Sequence, residues 1–246
     1  MLPIFTKILL SAALIVASTM THATLITNGS FEQTTFADNS KSVGTVFNTD
    51  LRAYKNKKRA WDVFYFLPGW KTTYGNGIEL QKNIVTRSQN GETHVELDSH
   101  PRGASNAVMT QTLKSLIVGA DYQLDFYYKA RTNRKNDNGI NVYWYDSAVD
   151  FNFDMKAVLV ADSTRRQTPN WALKTVSFTA QAQSMDLSFG AFGKQNTLGG
   201  LIDNVSLKQV STAKVTAVPE PSTYMIFLTA LAFLLVRPNK KVRATK

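Results

Sequence analysis

The chain carries a two-residue rhythm that recurs in short runs, and no helical rhythm persists anywhere between residues 24 and 210. Tyr122, Leu124, Phe126 and Tyr128 share one parity, while Asp125, Tyr127 and Lys129 take the other. Met185, Leu187 and Phe189 alternate in the same way with Asp186 and Ser188. Successive side chains on a strand point to opposite faces, so each run buries one face and turns the other outward. Runs rich in Val, Ile, Phe, Tyr and Thr, bounded by Asn, Gly, Asp and Ser, predict strands over 93–97, 107–113, 121–130, 140–145, 157–161, 171–179, 184–191 and 201–209. Gly119-Ala120-Asp121 and Asn138-Gly139 read as turns, and the polar, basic stretch 48–60 reads as a long loop. About eight such strands imply an all-β fold, a two-sheet antiparallel β-sandwich of the jelly-roll kind.

Two further stretches flank this region. Residues 1–23 hold Lys7, an apolar run from Ile8 to Ala17, then Thr21-His22-Ala23 with small residues where a signal peptidase reads. That layout predicts a helical secretory signal peptide, with an uncleaved anchor as the alternative. Farther on, Val218-Pro219-Glu220-Pro221 precede an apolar run from Tyr224 to Val236, and Arg237, Lys240, Lys241, Arg243 and Lys246 follow it. Two prolines one residue apart keep the backbone extended and end any regular element there. The apolar run is shorter than the roughly 20 residues that cross a bilayer, and the basic residues after it favour the cytoplasmic side.

This tripartite layout resembles the PEP-CTERM sorting signal of Gram-negative bacteria that make exopolysaccharide. The resemblance implies an exported protein held transiently in the inner membrane by a short hydrophobic helix. An exosortase-type enzyme would then process it for the cell surface or the extracellular matrix of a biofilm. A C-terminal anchor that is never cut is the alternative. The expected organisation is a signal peptide over 1–23, a sandwich domain over 24–212, a linker over 213–222 and a sorting segment over 223–246.

Charge and cysteine content narrow the chemistry. Without Lys7 and the five basic residues beyond Pro221, 22 basic side chains remain against 18 acidic ones. The central domain is therefore only mildly basic. Its densest cluster, Arg52, Lys55, Lys57, Lys58 and Arg59, reads as a solvated loop rather than a nucleic-acid surface, with contact to an acidic polysaccharide as the functional alternative. There is no cysteine, which excludes disulfides, thiol catalysis and thiolate metal ligands. With three histidines in the whole chain, a His-rich metal site is not expected.

Three stretches point to a superfamily. They are Leu25-Ile26-Thr27-Asn28-Gly29-Ser30-Phe31-Glu32, a central set from His94-Val95-Glu96-Leu97-Asp98 through Tyr122-Gln123-Leu124 to Ala130-Arg131, and Gly199-Gly200-Leu201-Ile202-Asp203-Asn204-Val205. Their order resembles galactose-binding-like jelly rolls. They resemble in type plant cell-wall and bacterial proteins of the domain-of-unknown-function kind, with carbohydrate-binding modules further off. The resemblance spans residues 25–210. It implies that the first and last strands meet, and that a structural calcium ion lies there with Glu32 and Asp203 as carboxylate ligands. A hard cation takes oxygen ligands, so two carboxylates with backbone carbonyls suit it. In the alternative reading Glu32 hydrogen-bonds a turn and Asp203 is an ordinary strand-end acid.

A sugar-binding face needs rings to stack on pyranose faces and polar groups to bond hydroxyls. Tyr127 and Trp144 are the preferred rings, with Asp125, Arg131 and Asn141 as polar partners on one concave sheet. Glu96 and Asp98 share a strand parity, and a carboxylate pair can serve glycoside hydrolysis. The alternative has them organising neighbouring loops or binding Arg102 or Arg131, and no nucleophile elbow supports a serine hydrolase. The expected function is thus a non-catalytic, exported protein binding carbohydrate, the exopolysaccharide of its own matrix. A structural or adhesive surface protein and a polysaccharide-active enzyme are the alternatives.

Overall fold

In the computed structural model the described residues are 24–34, 60–103, 105–161 and 170–211. The expected signal peptide, nearly all of the loop 48–60, the basic cluster within it, the Val218–Pro221 motif and the C-terminal hydrophobic segment lie outside them.

The strands are β1 (Trp61–Phe64), β2 (Phe66–Leu67), β3 (Trp70–Tyr74), β4 (Ile78–Lys82), β5 (Thr93–Glu96) and β6 (Val108–Leu113). They continue as β7 (Asp121–Lys129), β8 (Gly139–Asp146), β9 (Leu159–Ala161), β10 (Ala172–Thr179), β11 (Met185–Phe192) and β12 (Leu201–Gln209). The first sheet has the order β1-β4-β5-β12-β7-β10 and the second β2-β3-β6-β11-β8-β9, with every pairing antiparallel. From β5 onward the chain crosses between sheets so that β5-β12-β7-β10 faces β6-β11-β8-β9. That is a jelly-roll arrangement of eight strands.

Each predicted strand is present within two residues of its expected bounds. The strands missed are the first four. β2 has two residues, too few for a period, and β1 and β3 are short and half polar. β4 alternates Ile78 and Leu80 with Glu79 and Gln81, yet all four are buried. Its second face lies under other parts of the chain, which alternation cannot reveal.

The core lies between the sheets. Leu124, Phe126 and Tyr128 of β7 and Leu187 and Phe189 of β11 meet Leu80, Val95, Met109, Ile140, Val142 and Trp70. Phe126 and Phe189 pack edge to face at 5.1 Å, a favoured geometry for aromatic pairs.

On β12 the core parity changes hand. Ile202 points inward, and so do Val205 and Leu207. A bulge between Asp203 and Ser206 supplies the extra residue, with Asn204 at φ 49°. Asparagine tolerates this left-handed conformation better than most residues, which accounts for an asparagine in the Ile-Asp-Asn-Val motif. The opening motif lies beside it: Val205 N donates to Gly29 O at 2.8 Å and Leu25 N to Leu207 O at 2.9 Å. First and last segments therefore meet, as the resemblance implied.

Candidate functional site

The outer face of the first sheet holds most of the residues the sequence singled out, and they are spent on structure. Glu96, with no exposed surface, takes Gly199 N at 2.6 Å and donors from Gln81 and Arg131; Arg131 also reaches Thr197 O at 3.0 Å. Burial pushes the Glu96 carboxyl up to about 8, against the pull of the Arg131 guanidinium. Glu79 takes Gln81 and both His100 N and His100 Nδ1. His94 bridges Ser88 and Gln81, and burial, followed by the charges of Lys129 and Arg131, pushes it down to about 4, so it is neutral at pH 7. Asp98 takes the Ser105 hydroxyl and the backbone of Asn196 and Leu198 at 3.1 and 3.0 Å. Glu96 thus binds Arg131 and Asp98 organises neighbouring loops, the alternative that sequence left open.

Glu32 and Asp203 hold one segment, residues 89–93. Glu32 Oε1 accepts Glu92 N, Thr93 N and the Thr93 hydroxyl, all at 2.7 Å. Asp203 Oδ2 accepts Gln89 N and Asn90 N at 2.7 and 2.9 Å, and its Oδ1 accepts Asn204 N at 2.6 Å. Burial raises the Asp203 carboxyl to about 7 against these three donors, and the Glu32 charge adds to the rise. Glu32 Oε2 has no donor among the described residues, leaving it open to a hard cation. Among those residues no three acidic or histidine side chains gather into a metal cluster.

The expected ligand residues do not share a face. Tyr127 and Asp125 lie on the outer face of β7, where Asp125 takes Thr175 at 2.6 Å and Gln123 at 2.8 Å. Asn141 lies on the outer face of β8 in the other sheet and donates to Tyr143 OH at 2.9 Å. Trp144 has the parity of Ile140 and Val142; it stacks on Phe178 at 4.4 Å against the core and donates to Thr179 O. The single concave face expected for Tyr127, Trp144, Asp125, Arg131 and Asn141 is corrected accordingly. The apolar parity of β8 already marked Trp144 as inward and left Tyr143 and Tyr145 outward.

That outward face of the second sheet has a different character. A cavity of about 300 Å³ opens there, lined by Tyr74, Asn106, Asn141, Tyr143, Phe153 and Gly193 among others. Tyr74 and Phe153 meet edge to face at 4.7 Å and are 48% and 54% exposed. Phe151 of the same loop, 147–158, packs on Tyr143 at 5.1 Å. Beside them runs a chain of hydroxyls: Thr73 donates to Thr110 at 2.6 Å, Thr110 meets Ser188 at 2.7 Å, and Ser188 meets Tyr145 at 2.9 Å. Burial first, and then the Asp186 charge, raises the Tyr145 phenol above its usual range, so it remains a neutral hydroxyl.

Two buried side-chain polar atoms lack a hydrogen-bond partner among the described residues, Asn106 Oδ1 and Asp186 Oδ1. Asn106 lines the cavity, and Asp186 has the outward parity of β11 between Thr112 and Tyr145. Both atoms are acceptors, so the face lacks donors at two points.

Residues 24–208 match the family described as protein of unknown function (DUF642). The chain is similar to a multifunctional-autoprocessing repeats-in-toxin of Vibrio vulnificus, 30% identical over 63% of this chain, and it spans about 3% of that relative's length. Among solved structures it is similar to the K1 cleaved adhesin domain of Lys-gingipain from Porphyromonas gingivalis W83, at 18% identity and a TM-score of 0.46, covering 61% of this chain and 98% of that one. It is also similar to TmCBM61, solved in complex with β-1,4-galactotriose, at 13% identity and a TM-score of 0.39, covering 76% of this chain and 99% of that one.

Proposed function

The chain belongs to the DUF642 family of proteins of unknown function, and from that premise we propose that its sandwich is a non-catalytic domain that binds a glycan on the outer face of the second sheet. The observation that carries this reading is the aromatic cavity on that face, which Tyr74 and Phe153 line with rings 48% and 54% exposed. Tyr74 and Phe153 at the mouth offer ring faces for a pyranose.

Phe153→Ala and Tyr74→Ala are each expected to weaken polysaccharide binding about 10- to 100-fold, since each removes about 1.5–3 kcal/mol of apolar burial. Both rings are exposed, so the melting temperature should barely move. Affinity electrophoresis against a panel of soluble polysaccharides measures this. Unchanged mobility of the native protein on every glycan, or equal retardation of native protein and variants, sinks the reading.

The two carboxylates on 89–93 and the open Oε2 of Glu32 support a second proposal, a structural calcium ion held by Glu32 and Asp203. Calcium is then expected to raise the melting midpoint by mass action and chelator to lower it, with both effects lost in Glu32→Gln. Identical melts in calcium and chelator would discard it.

Export and exosortase-type sorting to the cell surface are proposed from Lys7, the run Ile8 to Ala17 and Val218-Pro219-Glu220-Pro221. Among the described residues no helix is long and apolar enough to cross a membrane. Intact mass of the protein recovered outside the cytoplasm should begin at Thr24; a mass that retains Met1 or Leu2 removes the signal-peptide reading.

A further inference from the structure

One end of the sandwich separates its charges by direction. The loops 98–105, 131–138 and 193–199 meet there, joined by Lys194 N to Asn136 O at 2.9 Å and by Asn106 Nδ2 to Gly193 O at 3.1 Å. Their two acids are turned inward. Asp98, 1% exposed, takes the Ser105 hydroxyl and the backbone of Asn196 and Leu198. Asp137, also 1% exposed, takes Thr132 at 2.6 Å and the Asn196 amide. Arg131 is likewise turned inward, onto Glu96.

What these loops present to solvent is cationic. Arg102, Arg134, Lys135 and Lys194 are all exposed, and no exposed acid stands in the same three loops. Asn106, Gly193 and Gln195, which belong to this end or adjoin it, line the aromatic cavity. The opposite wall, 147–158, carries the exposed acids Asp150 and Asp154. The loop end thus concentrates exposed cations with no exposed acid among them, whereas the 147–158 wall mixes Asp150 and Asp154 with Lys156.

We propose that this loop end receives an anionic substituent of the glycan, a carboxylate or a sulfate ester, while the sugar rings lie over Tyr74 and Phe153. The ligand class is an acidic polysaccharide. The proposal rests on the glycan-binding reading above and adds to it a charge requirement with a defined location. The exposed rings take the neutral portion of the chain, and the cations at the end discriminate acidic chains from neutral ones of the same sugar.

The test uses the purified full chain with four probes: polygalacturonate, dextran sulfate, a neutral galactan and a DNA oligonucleotide. At about 50 mM salt at least one acidic polysaccharide is expected to bind about tenfold more tightly than the galactan, with the advantage lost near 500 mM salt. Which acid wins separates carboxylate from sulfate recognition. The triple variant Arg102→Gln, Lys135→Gln, Lys194→Gln should bring the acidic polymer down to the galactan's affinity, about tenfold, and leave galactan binding and the melting temperature unchanged. Equal, salt-independent binding of acidic and neutral polymers overturns the inference and leaves the groove reading standing. Acidic binding untouched by the triple variant overturns it as well. Oligonucleotide binding as tight as the polysaccharide's, lost in the same variant, marks a general polyanion surface and overturns it too. Binding to none of the polymers removes the glycan reading and this inference together.

Discussion

Arg131→Leu is expected to lower the melting temperature by about 10 °C at pH 9, where Glu96 is ionised in the native protein, because breaking a buried ion pair from one side costs about 3–5 kcal/mol and each kcal/mol moves a domain of this size by about 2–4 °C. Glu96 has no solvent to turn to once the guanidinium is gone. Gln81 and Gly199 N remain as donors, and neither carries charge. The pH dependence identifies the cause. In the native protein burial holds the Glu96 carboxyl at about 8, above its unfolded value, so its protonated form contributes stability at low pH that is lost as pH rises to about 8. Above that point folded and unfolded states are both ionised and the loss stops. Without Arg131 the folded carboxyl stays protonated to higher pH, so the variant keeps losing about 1.4 kcal/mol per pH unit where the native protein no longer does. Calorimetry at pH 6, 7, 8 and 9 should show a deficit that widens above pH 8. A deficit that is constant across this range would mean that Arg131 acts by packing alone.

Gly29→Ala should cost about 3 kcal/mol or more, placing it among the severe backbone substitutions. A Cβ at residue 29 overlaps the Val205 carbonyl, and a backbone atom in a sheet has nowhere to go. The same residue's own carbonyl accepts Val205 N, so the first segment cannot back away without giving up that bond. The segment also carries Phe31, wholly buried against Trp70 at 5.9 Å, and Glu32, which holds 92–93. Amide exchange is the direct readout: Val205 and Leu25, protected by bonds between first and last segments, should lose protection in the variant before the β11 amides do. Protection at Val205 equal to the native protein's would mean the segment accommodates the methyl, and the requirement for glycine would be withdrawn.

Much of this was legible in the sequence, and the reasons are local. The alternation of Tyr122 to Tyr128 and of Met185 to Phe189 named the strands and the core faces, because strand geometry turns every second side chain the same way. The resemblance carried by the motifs around Asn28-Gly29 and Asp203-Asn204 implied that the first and last segments of the sandwich meet. The close approach of Gly29 to Val205 and the bulge at Asn204 supply the physical need for those residue types.

Site residues were harder. Glu96, Asp125 and Arg131 read as candidates because polar residues on an outward parity are expected to face solvent. Here the outward face of β4 and β5 is covered, and Glu79, Gln81, His94 and Glu96 bond to one another and to Arg131. Nothing within a strand states whether a loop from another part of the chain will lie over it. Tyr74, Asn106 and Phe153 were passed over for the complementary reason. They come from β3, a loop before β6 and the loop after β8, and share a cavity only because those strands close on the same sheet.

By itself, then, the sequence determined the all-β class, the strands from β5 to β12 and the inward parity of β7 and β11, all consequences of a two-residue period. Tertiary structure alone decided which outward face is sealed and which is open. That choice depends on contacts between residues such as Glu96 and Arg131, or Tyr74 and Phe153, that are far apart along the chain. It also depends on the cost of burying a polar atom, which is met by neighbours on the first sheet and left unmet at Asn106 and Asp186 on the second.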